Sequence, residues 1–232
     1  MEHTAATENW QDQLTPLQRL IRSSVEFFVG AGRLILLCGF LVPTILASIL
    51  LIDLPFRGID HLINAPALRP STWLTHGHLV MAFGAMFIVL ISRRFGGEEA
   101  SRVVTASWAL AALAAFAEFT YLAPLIEAGD MPSTRFVLGF TISAMVGQYF
   151  AAALYDILRG GGIWWRAPFY ALLAAFGLHT VLFYPITFGS SGMPWAAWMV
   201  IDFAIKAVLA FCFLGLYGFL RKRLRPLDGL GG

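Results

Sequence analysis

The sequence predicts an all-α, polytopic membrane protein: a six-transmembrane-helix bundle preceded by an amphipathic interfacial helix. Three observations carry this. The 232 residues are 58% hydrophobic and only 13% charged, about half the charge of a soluble domain, where about 25% is usual. Mean hydropathy is +0.72. Six apolar runs each approach the roughly 20 residues that a helix needs to cross a bilayer. Hydrocarbon offers no water to open backbone groups, so such runs must be helices.

The elements follow in order. Residues 1–32 read as a cytoplasmic tail containing the amphipathic helix, "LTPLQRLIRSSVEFFVG". There Leu17, Leu20, Ile21 and Phe28 recur at helical spacing, opposite Gln18, Arg19 and Arg22. Arginine on the polar face predicts a helix lying along the membrane surface. The first 15 residues are polar and contain no apolar signal-peptide core. The six-helix membrane domain is expected over 33–219, with spans near 33–53, 75–92, 103–124, 135–158, 166–187 and 196–219. Turn-forming or charged segments separate them: "DLPFRG", "RRFGGEE", "EAGDMPS", "RGGG" and "GSSGMP". Pro185 is expected to end or bend the fifth span. Trp73, Trp164, Trp165, Trp195 and Trp198 flank span ends, as an interfacial aromatic belt does. Residues 220–232 form a basic cytoplasmic tail.

Basic residues set the expected orientation. With the N-terminus cytoplasmic, twelve Lys and Arg fall on the inside (Arg19, Arg22, Arg33, Arg93, Arg94, Arg102, Arg159, Arg166, Arg221, Lys222, Arg223 and Arg225). Only Arg57, Arg69 and Arg135 fall outside. Both termini are therefore expected in the cytoplasm, and the chain in the cell (inner) membrane. A net charge of +2 is too small for a nucleic-acid binder. Cys38 and Cys212 sit in apolar runs as packing residues, with no CxxC pattern. The sequence contains no GxSxG, HExxH or Walker A motif, so no enzyme is expected. No cofactor is expected either, and "RGGGIWW" reads as a turn rather than a phosphate cradle.

The remaining cation, Lys206, lies inside the last span, four residues after Asp202. A charge at mid-bilayer is costly and is normally paired or faces a cavity. The i,i+4 spacing lets the two pair on one helix face. Two readings stand: a neutralised pair that glues helices together, or the polar lining of a substrate path. An Asp-x-x-x-Lys spacing in the last helix is shared with microbial rhodopsins, but six spans are one too few. Glu118, Gln148 and His179 lie in the third, fourth and fifth spans. Each alone reads as a packing contact. With Asp202 and Lys206 they place polar groups on four helices, enough for one substrate-binding cavity. His76 and His78 point apart on a helix and do not chelate one metal. His78 or His179 as a haem or pigment ligand is the remaining alternative.

The chain resembles the vitamin uptake transporters that include the bacterial queuosine-precursor transporter, over roughly residues 40–222. "SRRFGGEEASRVV" at 92–104 looks like the basic loop after the family's second span. The most specific stretch is "TRFVLGFTISAMVGQYFAAALYDILRGGGIWWRAP" at 134–168, with its opening Arg135, Gly147-Gln148, Leu158-Arg159 and the Trp-Trp entry to the fifth span. "HTVLFYPITF" at 179–188 and "IDFAIKAVLAF" at 201–211 extend the likeness, the latter with the family's Asp and Lys. The resemblance implies six helices, cytoplasmic termini and uptake of a planar 7-deazaguanine base. It also exposes departures: the family's carboxylates in the second, fourth and fifth spans fall at Val89, Ala151 and His179. Carboxylates are the groups that accept from the amino and ring N–H donors of such a base. Their absence points to a more apolar substrate, or alternatively to a non-transporting membrane scaffold or accessory subunit with partners in a larger membrane complex. The polar N-terminal segment and the loop at 54–74 are the candidate partner surfaces.

Overall fold

The computed structural model describes residues 15–122 and 133–227. The first residues of the polar tail, the "EAGDMPS" boundary up to Pro132 and the end of the C-terminal tail lie outside the described residues. Six helices form the described part: α1 Pro16–Leu50, α2 His76–Phe95, α3 Gly97–Leu122, α4 Thr134–Leu158, α5 Arg166–Phe188 and α6 Trp195–Leu220. All six are long and apolar enough to cross a membrane. The six expected spans are therefore present; the last five lie within about six residues of their expected bounds, while α1 begins at Pro16, well before the expected start near 33.

Two compact units divide at residues 37 and 38. The amphipathic segment is helical and continues into the first span without a break, as one helix of 35 residues. At 1.5 Å per residue such a helix is about 52 Å long, against a hydrocarbon core of about 30 Å. Its first turns therefore reach beyond what one crossing requires, and they carry the charges: Arg22 pairs with Glu26 at 2.8 Å. Pro43 lies inside α1, and the next residue, Thr44, donates its hydroxyl to the Phe40 carbonyl at 2.9 Å.

In the second unit, residues 38–50 of α1 meet α2 where side chains are small. Ser48 donates to the Gly77 carbonyl at 2.7 Å. A Cβ on Gly77 would stand 3.0 Å from the Ile52 backbone, so only glycine permits this approach. Helix α2 is the most buried of the six; it packs against α3, α4, α5 and α6. Helix α4 lies along α5, and α5 along α6. Pro185 does not end α5, which runs three residues further to Phe188 and stops at Gly189.

The segment between α1 and α2 is built rather than loose. It contains three short 3-10 turns, Asp60–Leu62, Pro66–Leu68 and Pro70–Thr72, and an isolated antiparallel bridge between Pro55 and Thr75. The Ser71 N–H donates to Asp60 at 3.0 Å. Ser71 holds the Asp60 carboxyl below its ordinary range, through its hydroxyl first and its backbone N–H second. Two tryptophans clamp this segment to α6. Trp198 donates to the Ala67 carbonyl at 2.8 Å, and Trp73 stacks on Trp198 with ring centroids 6.3 Å apart. Both are buried. Their indole N–H groups satisfy the Leu68 and Ala67 carbonyls of this segment.

Candidate functional site

Four polar residues of the apolar runs, Gln148, His179, Asp202 and Lys206, gather at one small cavity. Lys206 and Asp202 come from the middle of α6, and neither is exposed by more than 2%. The Lys206 ammonium donates to Asp202 Oδ2 at 2.5 Å, so the expected i,i+4 pair is formed. Thr180 of α5 donates to the same oxygen at 3.1 Å. Lys206 Nζ also lies 3.0 Å from His179 Nδ1. An ammonium only donates, so Nδ1 accepts and the ring proton of His179 sits on Nε2. Asp202 Oδ1 is buried without a hydrogen-bond partner among the described residues.

Gln148 enters from α4. Its Oε1 accepts from the Trp108 indole of α3 at 2.9 Å, and its Nε2 faces Met81 Sδ of α2 at 3.6 Å. Those contacts fix the amide so that its NH2 group points toward α2. A Cβ on Gly84 would stand 2.9 Å from that Nε2, so glycine makes the room the amide occupies. Gln148→Leu is expected to leave the Trp108 N–H buried and unpaired, at a cost of about 1–3 kcal/mol. Thermal unfolding in detergent checks this, and Trp108→Phe added to Gln148→Leu should recover most of the loss.

His78 completes the site from the first turn of α2. Thr75, the N-cap residue, accepts from the His78 backbone N–H at 3.4 Å, and its hydroxyl lies 2.9 Å from Nδ1. The hydroxyl and Nδ1 share one hydrogen bond, in which either is able to donate. Nε2 is buried with no partner among the described residues. Phe136, Phe140 and Phe183 surround the imidazole edge-on, the nearest centroid 4.9 Å away.

His78, Met81, Gln148, Phe176, His179 and Lys206 line the cavity, whose volume is about 20 Å³. That is room for about one water. A second, wider cavity of about 440 Å³ opens beside the 51–75 segment; it is lined by Asp53, Thr75, His78 and Phe136 among others. His78 belongs to both, so its ring stands between the outer space and the inner one.

Of the five residues expected at the site, Gln148, His179, Asp202 and Lys206 come together. Glu118 does not: it is exposed late in α3 and is not part of the cavity lining. The expectation that it shares the cavity is corrected, because its helix face turns outward there. Asp202 stands behind Lys206 rather than on the cavity wall. The inner cavity, at about 20 Å³, has no room for a macrocycle beside His179. Sequence reading missed Trp108, Thr180 and Met81, which carry no signal of their own, and it weighed His78 as an interfacial residue at a helix start or a cofactor ligand, not as part of the substrate site.

A family model described as "Putative vitamin uptake transporter" matches residues 75–220, well over half of the chain. The chain belongs to the vitamin uptake transporter family. No curated protein and no solved structure matches it. The matched region runs from the Thr75 cap to the end of α6, so it contains every member of the cluster. Val89 and Ala151, where the resemblance places family carboxylates, are fully buried and do not line the cavity.

Proposed function

We propose that the chain carries a small planar molecule across the cell membrane, and that Gln148, His179 and Lys206, held by Asp202 and joined by His78, bind it. The observation that supports this most is the convergence of polar side chains from α2, α4, α5 and α6 near the middle of an apolar bundle. Substrate sites of transporters lie near the bilayer midplane between such elements. Uptake of a labelled substrate into proteoliposomes containing the full chain tests the reading, with Lys206→Met as the inactive control. The wider cavity on the other side of His78 is the approach path in this reading.

The substrate is more apolar than a purine. The cavity wall offers donors: the Lys206 ammonium, the Gln148 amide and the His179 Nε2–H. Between them lie Met81, Ala82, Ala144 and Phe176. Among the described residues the wall contains no carboxylate, so a guanine-like base would bury its amino group and ring N–H unpaired.

The termini are cytoplasmic in this proposal, and the first turns of α1 stay at the cytoplasmic surface. An alkaline-phosphatase reporter fused after Arg225 is expected to be inactive and a fluorescent protein at the same place to be bright. The reverse pattern would reject the orientation. One observation favours a second reading, a non-transporting scaffold: the cavity holds about one water, so binding requires the helices to separate. Failure of every small molecule to bind, with a membrane protein retained through purification instead, would select it.

A further inference from the structure

The buried Asp202 carboxylate is only half used. Its donors, Lys206 at 2.5 Å and Thr180 at 3.1 Å, both fall on Oδ2. Oδ1 is buried and has no partner among the described residues. We infer that transport is coupled to a proton, which Asp202 takes up from the side of the wider cavity with His78 as the relay. The inference rests on the transport reading proposed above and names its coupling ion.

The carboxylate is the first argument. A pair kept only as glue is expected to have both oxygens satisfied, because the large majority of buried polar side-chain atoms find a partner. An oxygen held open is a position where an O–H fits while the other oxygen still accepts from Thr180 and Lys206. What changes on protonation is charge. The pair goes from neutral to a single positive charge, and Lys206 loses the ionic part of its closest contact. Its ammonium is then free to donate to an acceptor in the inner cavity. Proton and acceptor-bearing substrate therefore favour each other's binding, and by linkage the effect is reciprocal.

The route is the second. His78 lines both the inner cavity of about 20 Å³ and the wider one of about 440 Å³. Its Nδ1 shares a hydrogen bond with Thr75, which lines the wider cavity, and its Nε2 is buried with no partner among the described residues. An imidazole takes a proton on its bare nitrogen and releases the one on the other. It thus moves a proton between two spaces without leaving its place. The next groups inward are His179 and Lys206, 3.0 Å apart. Lys206 hands a proton to Asp202 Oδ2 and takes its replacement from the cavity side. A half-turn of the carboxyl then places the O–H in the open position and returns a bare oxygen to Lys206 and Thr180. One proton enters, one carboxylate is neutralised and the ammonium is unchanged. The proton leaves to the opposite face when the site opens there.

The surroundings supply little else that titrates. Tyr184 lies one turn from Thr180 on the same face of α5, and Asp53 lies in the wider cavity. Helices α3 and α4 contribute the neutral Trp108 and Gln148, and α1 contributes no lining residue to either cavity.

Two measurements on the full chain in liposomes test this. The first needs no substrate. Infrared difference spectra between mildly alkaline and mildly acidic buffer are expected to show the C=O band of a protonated carboxyl. That band should be missing in Asp202→Asn and retained in Asp53→Asn. After a rapid acid jump it is expected to form about 10²-fold or more slowly in His78→Gln, the usual loss when a positioned proton-transfer group is removed. Thr75→Val, which keeps the imidazole but removes its hydroxyl partner, should also slow it, and it guards against a misfolded His78 variant. The second measurement uses as its probe the small molecules released from the natively purified chain, counted by mass spectrometry inside proteoliposomes. For one proton per substrate, each unit of pH difference, acid outside, drives up to about tenfold accumulation, and a protonophore should abolish it. No Asp202 band, or the same uptake with and without the pH difference, overturns the inference. A band that forms as fast in His78→Gln overturns the relay. Uptake of nothing under either condition, with the band present, overturns the transport reading and coupling with it, while the proton site at Asp202 stands.

Discussion

Replacing Lys206 alone or Asp202 alone by Ala is expected to destabilise the bundle by about 3–5 kcal/mol, the usual cost of stranding one member of a buried ion pair. The structure makes the two losses unequal in kind. Lys206→Ala removes the donor to both Asp202 and His179, and it leaves a carboxylate with only Thr180 as donor. Asp202→Ala leaves an ammonium whose remaining partner is the neutral His179 ring. A double change, Asp202→Leu with Lys206→Met, removes both charges and is expected to recover much of the stability, because well-packed apolar residues replace buried pairs at little net cost. Chemical or thermal unfolding of the four proteins in one detergent closes the cycle. Equal loss in the double variant and in both single variants would show that the residues do not act as a pair. The same cycle scored by uptake separates structure from function: the double variant is expected to be stable and inactive.

The second large effect concerns substrate choice. In a strain lacking its own queuosine-precursor transporter, this chain is expected not to restore queuosine in tRNA at limiting external precursor. Each ligand N–H left buried and unpaired costs about 1–3 kcal/mol, a factor of about 5–150 in affinity. The structure refines which residues matter. His179 lines the cavity, so His179→Asp puts a carboxylate where a base edge would lie, next to Lys206. Val89 and Ala151 are fully buried in the helix packing, so Asp at those positions reaches the cavity only if the helices rearrange. Restoring Asp at 179 is therefore expected to contribute most to any gained rescue. Robust rescue by the unaltered chain would contradict the proposed substrate class.

Much of the architecture was legible because hydrocarbon leaves few options. Run length and the glycine, proline and charge between runs located α2 to α6 to within about six residues, and the end of α1. The unbroken α1 was not legible: the polar residues Arg19, Arg22 and Glu26 mark a change of environment, and a helix passes through such a change without any change in backbone. Pro185 was a similar case: it removes one N–H from the last turns, yet α5 continues to Phe188 and the Gly189 N–H still reaches the Pro185 carbonyl. In the site, Asp202 and Lys206 were legible because charge in an apolar run demands a partner four residues away. Glu118 obeyed the same rule and was misplaced, because its span ends close by and its face points outward. Trp108, Thr180 and Met81 carry no charge, and only three-dimensional packing brings them to Gln148 and Asp202. His78 looked like a helix-end residue; its capping bond to Thr75 is what turns its free nitrogen inward.

The most direct test of the proposed substrate site is mass spectrometry of the small molecules released from the natively purified full chain, compared with the Asp202→Leu, Lys206→Met double variant. The expected result is a planar, acceptor-bearing small molecule recovered from the parent protein and absent from a double variant that remains folded and monodisperse. The same molecules in both preparations, at the same ratio to protein, would contradict a substrate site at Lys206.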